Sequence, residues 1–418
     1  MARLPNDCFA NADEMISVNQ ARLLIQKTVT PVVGFETVPL AEARSRILGQ
    51  DITASFNVPP AGNSAVDGYA FSFDDCEKSG WKMKAVGRSA AGSPFEGELK
   101  TGECLKIFTG AVLPERCDTV AMIEDIQEEK DYILLPQGLK KGANFRRAGE
   151  DIKAGQNLLK SGIKLRPQEL GQLASVGLQD VPVRRKLKIG LFSTGDELID
   201  PGHKTRPGGI FDSNRYMLKA LLETYGGDVR DFGILTDKLE TVRDALKEAS
   251  TTCDLVLTSG GVSMGDEDHV KAAVEEIGTL HFWRIDIKPG RPLAMGQVGG
   301  TAFVGLPGNP VAALVCALQF VRPLIAGLSG QSDYHPPQPV FGNSTFDMKK
   351  KPGRREWLRG RYTLTKDGRP LIEKYRTEGS GVISSLTWAN GLIELNEDDT
   401  DISQGDILRF LPFTELFE

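Results

Sequence analysis

Residues 255–278 read LVLTSGGVSMGDEDHVKAAVEEIG: an apolar run, two adjacent glycines, then Asp266, Glu267 and Asp268 ahead of an amphipathic stretch. A glycine-rich turn from strand to helix offers backbone N–H groups and the positive end of a helix dipole, which suits a phosphate. Carboxylates suit a helix N-terminus too, so capping alone would explain the three acids if nothing else gathered near them. Four further segments carry residues able to do chemistry: STGDEL with Glu197, TDK with Asp237, IKPGRP with Lys288 and Arg291, and LPGNP at 306–310. Phosphates and carboxylates repel, so a site holding both calls for a divalent, oxygen-loving cation such as Mg²⁺ between them. Glu197 and Asp268 are the candidate ligands, and Lys288 with Arg291 would neutralise anionic oxygens.

These segments need a scaffold that brings them together, and residues 186–329 supply its pattern. LKIGLFST, VRDFGIL, CDLVLTSGG, HFWRIDI and TAFVGL read as strands. Between them, RYMLKALLETYGG, KLETVRDALKEAS and DHVKAAVEEIG read as helices, with Leu239, Val242 and Leu246 sharing one face and Val270, Val274 and Ile277 another. Asn309 then caps a long apolar helix with Pro310 at its first position. Alternation of strand and helix predicts a mostly parallel sheet covered on both faces. Ligands of such sheets bind beyond the carboxyl ends of the strands, where all five segments fall.

The flanks differ in character. SVNQARLLIQKTV predicts an amphipathic helix, and RPQELGQLASVGL a second helix returning to it, with Leu170 and Leu173 inward. WKMKAVG and CLKIFTG belong to a β-rich module, while NVPPAGNSAVDGYAF places Asp67 in a turn that by itself reads as structural. The paired arginines of NFRRAGED read by themselves as a solvated face. After the linker SGQSDYHPPQP, strand runs predict a separate small β domain. The expected organisation is thus a helical linker domain (1–56 with 145–185), a β-rich module (57–144), an α/β domain (186–329) and a C-terminal β domain (330–418).

Composition narrows the function classes. The 418 residues carry a formal net charge of −6, so no global basic field attracts nucleic acid or anionic membrane, and neither partner is expected. Six scattered cysteines without a C-x-x-C pair, and four dispersed histidines, give no zinc spacing; reduced, buried thiols and a cytoplasmic location are expected. MARLPNDCFANADE has no apolar run of the kind a secretion signal needs. PVAALVCALQFVRPLIAGL is apolar but interrupted by Gln319, Arg322 and Pro323, and is expected to be a buried helix rather than a membrane span.

Taken in order, VPPAGNSAVDGYAF, IFTGAVLP, FRRAGED, STGDEL, FDSN, SGGVSMGDED, IKPGRPLAMG, GLPGNPVA, LRGR and SSLTWANGLIEL resemble the molybdopterin molybdenumtransferase family, which includes the E domain of gephyrin. The resemblance spans essentially the whole chain. It implies a multidomain α/β plus β fold: a central molybdopterin-binding domain, an N-terminal helical and β-rich region and a small C-terminal β-barrel-like domain. It also implies Mg²⁺-dependent insertion of molybdate into adenylyl-molybdopterin with release of AMP. In the family's positions, Asp67, Asp237, Asp268 and Lys288 become catalytic candidates, and Glu197 and Asp268 stay as metal ligands. Substrate contacts are expected from Thr109, Arg146, Asp212, Asn214, Ser259, Gly260, Gly261, Val262, Ser263, Arg284, Arg291, Pro307, Gly308, Asn309 and Pro310, with the N–H groups of Gly260, Gly261 and Val262 on phosphate oxygens.

The resemblance further implies a homodimer whose active site combines Asp67 of one subunit with the α/β domain of the other. Partners in the same chemistry would be a molybdopterin adenylyltransferase and molybdoenzymes. Three departures stand out: Arg284 where lysine is usual, Glu115-Arg116-Cys117 where small residues are usual, and Ser45 where glycine is usual. A tungstate-inserting variant and a non-catalytic dimeric scaffold are the alternatives; a molybdopterin adenylyltransferase would leave the flanking modules unexplained.

Overall fold

A computed structural model describes residues 15–261, 269–283, 285–290 and 293–417. At its centre lies a six-stranded sheet of β1 (Lys188–Thr194), β2 (Asp228–Leu235), β3 (Leu255–Ser259), β4 (Gly278–Trp283), β5 (Leu293–Val298) and β6 (Thr301–Leu306). Its order is β2-β1-β3-β6-β5-β4, parallel through β6 and antiparallel over the last two strands. The antiparallel edge departs from strict alternation because LAMGQV, not expected as a strand, folds back on β6 as a hairpin. Its two-residue turn is Gly299-Gly300, with φ 56° and 83°, the backbone that short hairpins require and glycine supplies. HFWRIDI also divides, with β4 ending at Trp283 and a separate strand, Ile287–Lys288, leaving the sheet.

The helices are α1 (Ser213–Thr224), α2 (Leu239–Thr252), α3 (His269–Ile277), α4 (Pro310–Cys316) and α5 (Arg322–Ser329). Strand residues alternate between two cores as period two demands: Ile189, Leu191, Leu255 and Leu257 face Leu218, Leu222 and Val311, whereas Phe192 and Val256 face Val242, Leu246, Val270 and Val274. Thus α1 and α4 cover one face and α2 and α3 the other. Residues 310–329 form one long apolar segment, α4, a π turn and α5, that is mostly buried against the first of these cores.

The Val18–Thr28 helix carries a reciprocal capping box between Ser17 and Gln20, and it buries Val18, Ala21 and Ile25 in that same core. The expected return helix, Pro167–Ser175, does not meet it. Its Leu173 packs with Ala43, Leu48, Val181 and Val183, around a ribbon pairing Phe35–Pro39 with Asp180–Arg184. Both helices have an apolar stripe, and periodicity does not say which core a stripe will join.

WKMKAVG and CLKIFTG are neighbouring strands, Lys82–Ser89 and Glu103–Ile107, of a second six-stranded sheet. The C-terminal strands β7 (Val340–Ser344), β8 (Arg355–Leu364), β9 (Pro370–Lys374), β10 (Gly391–Leu395) and β11 (Ile407–Pro412) close a barrel in the order β8-β9-β7-β11-β10, with β10 pairing back onto β8. This barrel has its own core of Leu358, Ile372, Ile393 and Phe410, yet Trp357, Leu392 and Leu411 join the core beneath the central sheet. It is therefore docked on the α/β layer rather than tethered beside it.

Ser45, noted for replacing glycine, lies at φ 61°, in the left-handed backbone region that glycine occupies without cost. Arg116 pairs with Asp75 and reaches Thr101, so the unusual 115–117 turn is tied to the neighbouring helix. The five described cysteines are free and buried, and burial pushes the thiols of Cys76, Cys104, Cys117 and Cys316 up to about 12.

Candidate functional site

The loops following β1, β2, β3 and β6, together with the start of α1, enclose a cleft of 560 Å³ at the carboxyl ends of the parallel strands. It is lined by Glu197, Asp212, Asn214, Asp237, Ser259, Gly260, Gly261 and the turn Pro307, Gly308, Asn309, Pro310. Sequence segments more than 110 residues apart at their extremes, Glu197 and Pro310, therefore meet where the topology rule places a ligand.

Asn214 knits the loops together. Its Nδ2 donates to Ser259 Oγ at 2.8 Å and to the Gly308 carbonyl at 2.7 Å, while its Oδ1 is buried and has no hydrogen-bond partner among the described residues. Ser193 Oγ and Thr194 Oγ1, which sequence reasoning passed over, are buried and unpartnered in the same sense. A buried polar atom without a partner is costly, and two of these three, on Asn214 and Thr194, belong to residues that line the cleft and mark a surface suited to a polar ligand.

Gly260 and Gly261 have φ 87° and 65°. A Cβ at Gly260 would lie 2.9 Å from the Thr194 carbonyl, and one at Gly261 would overlap Thr194 Oγ1 and approach Val270 to 2.5 Å. Gly261→Ala is expected to destabilise the fold by about 2–4 kcal/mol, from left-handed backbone strain plus overpacking, as urea unfolding will measure. The N–H of Gly260 donates to the Leu306 carbonyl at 3.0 Å, extending the β3–β6 ladder by one residue. That expected phosphate donor is thus already spent, and the cradle narrows to its neighbours.

Two of the expected contacts, Asp212 and Lys288, take other roles. Asp212 is the N-cap of α1, and its carboxylate accepts from Arg215 N at 3.1 Å and Arg215 Nε at 3.1 Å, so it is committed to that arginine. Asn309 holds the N-cap position of α4 ahead of Pro310, but its side chain makes no capping bond. Lys288 stands apart from the cleft lining: its strand pairs in parallel with β8, and its Nζ donates to Glu356 at 3.1 Å and Glu378 at 3.0 Å. Burial works to lower the Lys288 pKa, but the hydrogen bonds to Glu378 and Glu356 outweigh it and hold the ammonium above its ordinary range. The 377–381 loop links this lysine to the cleft rim, since the Ser380 carbonyl accepts from Val311 N at 3.0 Å and Gly381 packs near Asn309.

Asp67 and Thr109 meet each other on the second sheet. Asp67 Oδ1 accepts from both the backbone N–H and the hydroxyl of Thr109, each at 2.7 Å, and these bonds hold the exposed carboxyl below its ordinary range. Arg146 pairs through its backbone with Asn63, four residues before Asp67. None of the three lines the cleft of its own chain. Val262, Ser263, Asp268, Arg284 and Arg291 lie outside the described residues.

Among the described residues no group of three potential metal ligands is assembled. Mg²⁺ asks for less, because it keeps several waters and uses one or two carboxylates together with substrate phosphates. Glu197 and Asp237 present oxygen donors to the cleft and fit that requirement; the Glu197 carboxylate folds over Gly195, within 2.7 Å of where a Cβ there would stand.

A curated protein of Haemophilus influenzae, molybdopterin molybdenumtransferase, is 38% identical over 96% of this chain and 100% of its own length. The chain belongs to the molybdopterin molybdenumtransferase family. The corresponding protein of Nostoc is 33% identical over 89% of this chain and 88% of its own. Residues 16–177 match the MoeA N-terminal region (domain I and II), 190–327 a probable molybdopterin binding domain and 342–413 the MoeA C-terminal region (domain IV). A crystal structure of the molybdopterin biosynthesis MoeA protein from Pyrococcus horikoshii superposes with a TM-score of 0.81 at 29% identity, covering 96% of this chain and all of that one, so the family's fold is the fold seen here.

Proposed function

We propose that this protein is a molybdopterin molybdenumtransferase that inserts molybdate into adenylyl-molybdopterin with release of AMP. The observation that carries the reading is the cleft itself, where the Asn214 and Thr194 acceptors, the Gly260-Gly261 turn and two carboxylates converge at the carboxyl ends of a parallel sheet. Such a surface accommodates a phosphate-bearing ligand whose polar groups supply the missing hydrogen bonds. Mg²⁺ held by Glu197, with Asp268 as its second expected ligand, would offset the negative charge of the phosphoanhydride.

Asp237 positions the water that attacks the phosphoanhydride and takes up its proton. The Gly261 backbone and the Asn214-Ser259-Gly308 junction hold the phosphate end, while the Pro307-to-Pro310 turn shapes the pterin end. Lys288 offers the positive charge that draws molybdate, with Arg146, Arg284 and Arg291 as further expected cations. Asp67, carried by a module whose acid does not reach the cleft of its own chain, acts from the second subunit of a homodimer. Exposed apolar residues flank both halves: Ile210 and Phe211 beside the cleft, and Ile123 beside Asp67.

The test is AMP release from adenylyl-molybdopterin by purified protein, with and without Mg²⁺, titrating molybdate against tungstate. Molybdate-dependent release that needs Mg²⁺ is the expected result. A folded dimer that releases no AMP with either oxyanion would replace this reading with a scaffold.

A further inference from the structure

Lys288 Nζ is already held by two carboxylates, Glu356 at 3.1 Å and Glu378 at 3.0 Å, so an arriving oxyanion meets two negative groups at this ammonium. These bonds use two of the three N–H donors of a side chain that is 41% exposed, so an oxyanion that reaches Nζ meets both carboxylates beside it and is repelled until one turns away. The two are not equivalent. Glu356 is 5% exposed and sits on β8, where its backbone pairs with Lys288 on one side and Leu395 on the other. Glu378 is 36% exposed and lies on the loop between β9 and β10.

The backbone of that loop is pinned, and only the Glu378 side chain has freedom. Arg359, 2% exposed, donates to the carbonyls of Thr377 at 2.9 Å and Gly379 at 3.0 Å, and Val311 N donates to that of Ser380. The second carboxylate oxygen of Glu378 faces Lys374 Nζ at 3.8 Å, within reach of a tighter pair after a side-chain rotation. Lys374 precedes Glu378 by four residues and is 19% exposed, so it waits at the place to which the carboxylate would turn.

We propose that Glu378 is an internal competitor of the oxyanion for Lys288: it occupies the ammonium in the free protein and passes to Lys374 when the oxyanion arrives. The inference rests on the reading of Lys288 as the molybdate-drawing cation. Glu378 is then a positioning residue that sets the affinity of the oxyanion site from within the chain. It weakens the binding of sulfate and phosphate in the same way, since each meets the same negative charge beside the ammonium.

Equilibrium dialysis against molybdate, with bound molybdenum read by elemental analysis, tests this on the intact protein. Glu378→Gln is expected to bind molybdate about fivefold more tightly, the value of one partly exposed ion pair removed from competition. Lys374→Met is expected to bind it about threefold more weakly, because the displaced carboxylate loses its alternative partner. In the double variant, Lys374→Met should have no further effect, because nothing remains to displace. A gain of affinity is a result that mere structural support would not produce.

Lys288→Met separates the two layers of the argument. If it loses molybdate while Glu378→Gln binds no more tightly than the unsubstituted protein, the internal competitor is refuted and the reading of Lys288 stands. If Lys288→Met binds molybdate undiminished, the reading of Lys288 fails and the inference falls with it.

Discussion

Co-expressed Asp67→Ala and Asp237→Ala chains are expected to recover about a quarter of the unsubstituted turnover, although each variant alone is inactive by a factor of about 10² or more. Asp67 is fixed by Thr109 on the second sheet, and Asp237 lines the cleft above the central one; within one chain the two do not share a site. If a working site draws Asp67 from one subunit and Asp237 from the other, each mixed dimer has one doubly damaged site and one intact site. Random pairing makes half of the dimers mixed, and half of their sites intact. Were both acids supplied by the same chain, no mixture would contain an intact site and activity would stay at the level of the single variants. AMP release decides between the two arrangements: about a quarter of the unsubstituted turnover in the co-expressed mixture, and about half in the tagged, purified mixed dimer.

The fold was legible where local pattern and topology agree. Leu255, Val256 and Leu257 are apolar without interruption because the strand is buried on both faces, and this is why β3 could be read as a strand of a sheet covered on both sides. From there the rule that ligands sit beyond the carboxyl ends of parallel strands was enough to bring Glu197, Asp237, Ser259 and Pro307 into one cleft. Illegible were the relations that depend on packing between distant units. The Val18–Thr28 and Pro167–Ser175 helices each show an apolar stripe, yet they serve different cores. The partners of Lys288 lie 68 and 90 residues away in the barrel, and no spacing announces them. Asp212 reads as a ligand contact until Arg215, three residues later, takes its carboxylate; the i, i+3 spacing of Asp and Arg at a helix start was the available signal. The orphan acceptor of Asn214 could not be foreseen, since only coordinates show which of its hydrogen bonds remain unmade.

Arg215→Met should lower stability by about 3–5 kcal/mol, the range for breaking a buried ionic network from one side. Arg215 is 5% exposed and holds three acids at once: Asp212 through Nε at 3.1 Å, Asp231 through Nη1 at 2.6 Å and Asp200 through Nη2. These acids belong to the start of α1, to β2 and to the segment after β1, so one guanidinium ties together the wall behind the cleft. Methionine fills much of the volume but leaves Asp212, 2% exposed, buried without its cation. The loss should also depend on pH with a definite sign. Burial acts to raise the Asp231 pKa, but the bond from Arg215 and the N–H of Gly233 outweigh it and hold the carboxyl below its ordinary range. An acid depressed in the fold contributes stability above its unfolded pKa, and that contribution is lost as pH falls through the folded value. In the variant the depression from Arg215 is gone while the burial remains, so the acid accepts a proton within the fold more readily as the solution is acidified. The difference between the two proteins should therefore be largest near neutral pH and narrow as pH falls through the carboxylate range. Urea unfolding at neutral and at mildly acidic pH measures both parts. A loss below about 1 kcal/mol, the scale of an exposed ion pair, would mean that the network does not hold this wall; a loss that stays constant with pH would mean that packing, not the charge of Arg215, accounts for it.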